Sequence, residues 1–268
     1  MTISQLSVSG GALATTARGD DEGPLLICSP GIGDSRDAFD PLAGILASSG
    51  YRVVSIDLRG HGESDTGFAA YGDEATADDL LRAIDVLGGG PAVLVGASLS
   101  AASATIAAGR EPGRVAGLIL IGPFLRNGGS PVMRGLLRLA LKRPWGPAVW
   151  RTYAAGLWPG LGEDAVDRAA ETTRNLREPG RWEAFERTAR SDHRVVSPWI
   201  PRVTAPSLVV MGDADPDWKD PLAEAEWVCD QLGSQLFMVK GAGHAPMLEK
   251  PDEVAGAVLS FLREIRHG

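Results

Sequence analysis

Apolar residues along this chain follow two alternating rhythms. Short apolar runs, Leu25-Leu26-Ile27-Cys28, Val53-Val54-Ser55-Ile56, Ala92-Val93-Leu94-Val95, Leu118-Ile119-Leu120-Ile121, Leu208-Val209-Val210-Met211 and Leu236-Phe237-Met238-Val239, have the length and composition of buried strands. Between them the spacing turns helical. Leu80, Leu81, Ile84 and Leu87 repeat on one helical face, with Thr76 as the expected cap and Gly88 as the stop. Ser100 to Ala108 is a run of small helix-compatible residues, and Val254, Ala257, Val258, Phe261 and Leu262 follow Pro251 at a first helical turn. Residues 3–28 hold two or three strands, broken by Gly10-Gly11 and by the acidic turn Gly19-Asp20-Asp21-Glu22-Gly23. Strands alternating with helices predict the α/β class: a mostly parallel central sheet flanked by helices on both faces.

The rhythm breaks between residues 123 and 202, where helical segments follow one another without a strand pattern. This stretch is expected to be a helical cap inserted into a core made of residues 1–122 and 203–268. It carries five of the chain's seven tryptophans, Trp145, Trp150, Trp158, Trp182 and Trp199. Trp145, Trp150 and Trp158 are taken as walls of an apolar substrate pocket, although tryptophan commonly packs helices and about two of the five at most are expected to touch substrate. From Phe124 to Gly162 there are six basic residues and no acidic one. Arg134, Arg138 and Lys142 recur every fourth position beside Leu136, Leu137, Ala140 and Leu141, which predicts a helix with one basic face. That face reads first as solvated; attraction of an acidic substrate or of a membrane surface stays open.

Composition narrows the class. At 268 residues and 44% hydrophobic, the chain is long enough to bury a large core. A net charge of −8 argues against nucleic-acid binding, which needs a basic footprint. The start, Met1-Thr2-Ile3-Ser4-Gln5, lacks the basic and apolar regions of a signal peptide, and the apolar stretch from Val115 to Leu125 is too short to span a bilayer. No stable membrane insertion and a cytoplasmic location are therefore expected. Cys28 and Cys229 lie far apart, without the spacing of a redox or metal motif, and Cys28 reads as a small core residue.

The candidate chemistry lies in three loops that each follow a strand-like run. Ser98 sits in Gly96-Ala97-Ser98-Leu99-Ser100, between a strand and a small-residue helix, where a sharp turn needs small residues two positions either side. Asp213, Asp215 and Asp217 share the loop after the run ending at Met211; the ordinary role of such residues is to bond nearby backbone amides. His244 follows the run ending at Val239. Of the four histidines, His61 lies in a different loop, His193 in a polar stretch and His267 in the terminal tail. In a parallel sheet, loops at the C-terminal ends of strands are where reactive groups gather.

The order Ser, Asp, His and two further segments carry a resemblance. Asp57-Leu58-Arg59-Gly60-His61-Gly62-Glu63-Ser64 and Ser29-Pro30-Gly31-Ile32-Gly33-Asp34-Ser35 follow the two earliest parallel runs. Together the five motifs resemble the α/β-hydrolase fold superfamily, in its branch of single-cap, esterase- or lactonase-like serine hydrolases. The resemblance implies a triad of Ser98, Asp215 and His244, with Asp215 preferred over its neighbours because Gly-x-x-Asp is the family spacing. It also implies an oxyanion hole from the backbone N–H groups of Ile32 and Leu99. Two positions depart from the pattern: Ser100 replaces the usual final glycine of the nucleophile turn, and Pro30 stands where the oxyanion loop usually has histidine. Arg59 and His61 are expected to bond nearby backbone groups.

The implied reaction is hydrolysis of small to medium carboxylic esters or lactones through an acyl-enzyme, with a small-molecule acyl substrate as partner and neither metal nor organic cofactor. Oligomeric state is left open. The same triad serves perhydrolases, cofactor-free haloperoxidases, thioesterases, carbon–carbon bond hydrolases and lyases, and the same fold serves non-catalytic small-molecule receptors. A serine at position 98 excludes the carboxylate-nucleophile route of epoxide hydrolases and haloalkane dehalogenases.

Overall fold

In a computed structural model, which describes residues 2–88 and 90–267, the apolar runs line up as one eight-stranded sheet. In chain order the elements are β1 (Thr2–Val8), β2 (Gly11–Arg18), β3 (Leu25–Ser29), α1 (Asp40–Ser48), β4 (Arg52–Ile56), α2 (Asp73–Leu87), β5 (Ala92–Ala97), α3 (Leu99–Arg110) and β6 (Val115–Ile121). There follow α4 (Pro131–Ala140), α5 (Gly146–Ala154), α6 (Asp164–Leu176), α7 (Arg181–Thr188), β7 (Ser207–Gly212), α8 (Pro221–Leu232), β8 (Gln235–Val239), α9 (Pro246–Glu249) and α10 (Pro251–His267). The strand order is β1-β2-β4-β3-β5-β6-β7-β8. β1 and β2 pair antiparallel with each other, β2 pairs antiparallel with β4, and the remaining pairs are parallel. Met1, which opens the segment read against a signal peptide, lies outside the described residues, and His267 is the last residue of α10.

The strand period of two divides the core. Leu26 and Cys28 of β3 face one way, into a cluster with Leu42 of α1 and Phe261 of α10, while Ile27 faces the other way, into a cluster with Ile84 of α2 and Ile106 of α3. Burial on both faces explains why the central strands are uninterrupted apolar runs. Cys28 is fully buried and its thiol is pushed up to about 12 by burial, in keeping with an inert core residue.

Connectivity decides where the loops meet. From β3 the chain steps outward to β4, then back across β3 to β5, so β3 and β5 flank the point where the winding reverses. Ser29 pairs with Gly96 at that point, so the loops after β3 and β5 leave the sheet side by side. Such a divergence at the strand C-termini opens a crevice in a doubly wound sheet.

Two expectations change in detail. Thr76 does not cap α2: the helix starts at Asp73, after Gly72 at φ +91°, and the Thr76 N–H already donates to the Gly72 carbonyl at 2.9 Å. Asp73 and Glu74 favour that earlier start because carboxylates stabilise a helix N-terminus. The helix expected around Arg134 and Arg138 does form, as α4, but it ends before Lys142 and leaves its leucines exposed. Among the described residues between β6 and β7 there are helices and turns and no strand, and no described helix is long and apolar enough to cross a membrane.

Candidate active site

Ser98 lies between β5 and α3 with φ +55° and ψ −120°, the sole described non-glycine residue with positive φ. That conformation is costly for a residue with a Cβ and persists only where the surroundings enforce it. The enforcement is visible. The Ser98 N–H donates to the Ile121 carbonyl at 2.8 Å, and a Cβ on Gly96 would lie 2.3 Å from the Ser100 carbonyl oxygen. Position 96 therefore accepts only glycine, as the small-residue argument expects. Position 100 tolerates a serine because its hydroxyl is used: it donates to the Pro30 carbonyl at 2.6 Å and pairs with the Ser29 hydroxyl at 2.9 Å.

The loop after β3 runs against Ser98. A Cβ on Gly31 would lie 2.9 Å from the Ser98 Cβ, so glycine lets the backbone come close. The Asp34 N–H reaches the Gly31 carbonyl at 3.4 Å, closing a turn with Gly33 at φ +79° in its third position. Among the described residues, neither the Ile32 N–H nor the Leu99 N–H donates to a protein acceptor. Leu99 opens α3, where the first N–H groups have no partner within the helix.

His244 lies in the loop between β8 and α9, its N–H held by the Leu157 carbonyl at 2.8 Å. Its Nδ1–H donates to Asp215 Oδ2 at 2.8 Å, and Asp217 Oδ2 stands 3.4 Å from the same nitrogen. The other Asp215 oxygen accepts the Asp217 N–H at 3.0 Å. Asp213, the third carboxylate of that loop, turns away to accept the Gly241 N–H at 2.6 Å. Ser98 and His244 border the same short segment: the Phe124 N–H reaches the Ser98 carbonyl at 3.4 Å, and a Cβ on Gly122 would lie 3.2 Å from His244 Nδ1. With Nδ1 committed to Asp215, the imidazole keeps Nε2 for another partner.

Burial works to lower the pKa of His244, but the adjacent Asp215 and Asp217 carboxylates outweigh it and raise the value to about 9. Burial also raises Asp217 above the usual carboxylate range. Asp215, Asp217 and His244 offer ligand atoms within 4.8 Å of one another. A cation could enter there only after the Nδ1 proton that serves Asp215 had left.

Further contacts from residues between β6 and β7 reach this site without any sequence signal. The Tyr153 hydroxyl of α5 donates to Asp217 Oδ1. Glu249 of α9 is buried and accepts from the N–H groups of Gly243 at 2.8 Å and Ala245 at 3.0 Å, on either side of His244, and from Gly160 at 2.7 Å. Arg168 of α6 pairs with Asp34, immediately after the β3 loop, and with Asp37 at 2.9 Å.

Of the tryptophans expected to wall a pocket, Trp150 and Trp158 are buried near these loops. Trp150 covers Gly33 so closely that a Cβ there would lie 2.2 Å from its ring, and Trp158 lies beside Arg168. Trp145 is not brought in: it is 52% exposed, and its indole N–H donates to the Leu139 carbonyl at the α4–α5 turn. That short turn holds the ring in solvent. Trp182 packs on Phe185, and Trp199 on Gly109. Phe124 and Trp218 form an aromatic pair beside the His244 ring.

The loop after β4 is structural. Arg59 makes a two-pronged pair with Asp79 of α2, both contacts at 2.7 Å, rather than bonding backbone alone. His61 donates from Nδ1 to the Arg59 carbonyl at 3.0 Å, and complete burial lowers its pKa to about 4, which keeps it neutral.

A 2-(acetamidomethylene)succinate hydrolase from Mesorhizobium japonicum is 28% identical over 261 residues, covering 94% of this chain and 92% of that protein. Among solved structures, a thermophilic esterase from Thermogutta terrifontis superposes with a TM-score of 0.80 at 26% identity, covering 99% of each chain. A hydrolase from Pseudomonas aeruginosa PA01 gives 0.83 at 26% identity, over 97% of this chain and 98% of that one. The family model described as the alpha/beta hydrolase family matches residues 25–257, from β3 into α10 and across all the loops above, and the chain belongs to that family.

Proposed function

We propose that this protein is a serine hydrolase of carboxylic esters or lactones, with Ser98 as nucleophile, His244 as base and Asp215 as the residue that orients the base. The observation that carries the reading is the strained serine at φ +55° on the β5–α3 turn, bordering the same Gly122–Phe124 segment as a His244 imidazole bonded to Asp215 at 2.8 Å. A hydroxyl is a weak nucleophile at neutral pH, so His244 Nε2 takes the Ser98 proton as Oγ attacks the acyl carbon. The imidazolium formed is stabilised by Asp215 and returns the proton to the leaving oxygen. Water then attacks the acyl-enzyme by the same route.

The developing oxyanion is received by the Ile32 and Leu99 N–H groups, for which a free donor at each position is the support. Residues 123–202 act as a cap on the core of residues 1–122 and 203–268, with Trp150 and Trp158 beside the acyl site. The hydrolase names of the relatives agree with the reaction class.

Treatment with a fluorophosphonate followed by peptide mapping tests the reading. Rapid labelling of Ser98, absent in Ser98→Ala and slowed in His244→Ala, is expected. Tight ligand binding without labelling or turnover would instead make the protein a receptor on the same fold. Among p-nitrophenyl esters, medium acyl or aryl groups are expected to be preferred; a sharp preference for acetate would remove the apolar pocket.

A further inference from the structure

α4 leaves its large apolar side chains in solvent. Val132, Met133, Leu136, Leu137 and Leu139 are 49 to 72% exposed. At about 100° per residue these positions and Ala140 occupy an arc of roughly 160°, and no polar residue falls within it. On the opposite side Arg134 bonds back to the Gly129 carbonyl just before the helix at 2.9 Å, and Arg138 reaches the Arg190 carbonyl after α7 at 3.2 Å. The Arg138 bond turns the basic side toward the residues after α7, and the apolar arc lies in solvent.

The charge around the arc is one-sided. The segment from Phe124 to Gly162 holds six cations and no carboxylate, in a chain of net charge −8. Lys142 and Arg143 are exposed immediately beyond the helix, followed by half-exposed Trp145. A helix with a wide apolar face, flanking cations and an adjacent tryptophan has the make-up of one lying in the plane of a lipid interface, its apolar side in the acyl boundary and its cations at the phosphates.

We propose that α4 is a peripheral membrane-contact helix that seats Val132, Met133, Leu136, Leu137 and Leu139 in an anionic lipid surface, with Lys142 and Arg143 at the headgroups. Lipid suits this surface better than a protein partner does. An arc without a hydrogen-bonding group has nothing with which to select a polar epitope, and a second copy would bring another all-basic segment against this one. The acidic remainder of the chain orients the molecule, being repelled by the surface that attracts the insertion.

Co-sedimentation of the full-length protein with phosphatidylcholine vesicles, with and without phosphatidylglycerol, tests this. Binding is expected with the anionic vesicles and is expected to weaken strongly without phosphatidylglycerol. Replacing both cations, Lys142→Gln with Arg143→Gln, is expected to reduce partitioning about 30-fold. Leu136→Glu with Leu137→Glu is expected to abolish it while leaving the melting temperature in solution unchanged, because these side chains are exposed. Absence of binding to either vesicle overturns the proposal, as does wild-type binding by the leucine variant. Sedimentation velocity showing a dimer that the leucine variant dissolves, without vesicle binding, assigns the face to a second copy.

Discussion

The Ser100 hydroxyl donates to the carbonyl of Pro30 at 2.6 Å, so the two positions that depart from the family's motifs are bonded to each other. The bond ties the nucleophile turn to the loop that carries Ile32, and the Ser29 hydroxyl extends it at 2.9 Å. Serine here takes over part of the positioning of the proposed oxyanion donors. Ser100→Ala and Ser100→Gly are each expected to lower kcat about tenfold with KM little changed, the loss expected from one buried hydrogen bond. Steady-state kinetics on a soluble ester decide it; an unchanged kcat would show that the loop holds its shape without the bond.

With a His244 pKa of about 9, the neutral base is scarce at pH 7. The acid limb of kcat/KM is expected near pH 9, activity falling about tenfold per unit below it. Asp217→Asn removes one of the two carboxylates at Nδ1 and is expected to move that limb to lower pH. An unmoved limb would take Asp217 out of the electrostatics of the site. The same raised pKa means that the folded protein binds this proton more tightly than the unfolded chain. The stability it contributes is complete below pH 6.5 and is lost as pH rises through about 9.

Asp215→Asn is expected to cost about 10⁴-fold in kcat, because the imidazole then loses the acceptor that selects its tautomer. Asp217 offers a longer, 3.4 Å alternative to the same nitrogen. The double variant with Asp217→Asn is therefore expected to fall below Asp215→Asn alone, and equal rates would show that Asp217 provides no substitute.

Glu249 holds three backbone N–H groups, two flanking His244 and one, Gly160, between β6 and β7. Glu249→Ala leaves these donors without their acceptor and is expected to destabilise the fold by about 3 kcal/mol. Chemical denaturation measures the loss. Glu249→Gln, which keeps one carbonyl oxygen, is expected to recover part of it.

Arg168 neutralises Asp34, whose buried carboxyl is raised by desolvation and held down mainly by this guanidinium. Arg168→Met leaves that charge buried without its partner, at an expected cost of about 3 kcal/mol. Because Asp34 follows the β3 loop, kcat is expected to fall along with the thermal midpoint. A stability loss with wild-type kcat would confine Arg168 to a structural role.

Local order along the chain is enough to specify the elements. The apolar runs became β3 to β8, the small residues after Ser98 became α3, and Pro251 opened α10, because strand and helix periods are set by near neighbours. Placing reactive residues at strand ends nominated Ser98, His244 and the loop of Asp213, Asp215 and Asp217, since a parallel sheet carries all such loops to one edge, and the resemblance to the family chose Asp215 among the three. Only the tertiary structure decided the contacts made across long separations: Tyr153 on Asp217, Gly160 on Glu249, Arg168 on Asp34. Each contact joins a helix or turn to a residue far away in sequence, and no local pattern encodes how such elements dock. The exposure of α4 belongs with them: its amphipathic period was legible in the order of residues, but that its apolar side is covered by no other element depends on how the rest of the chain packs.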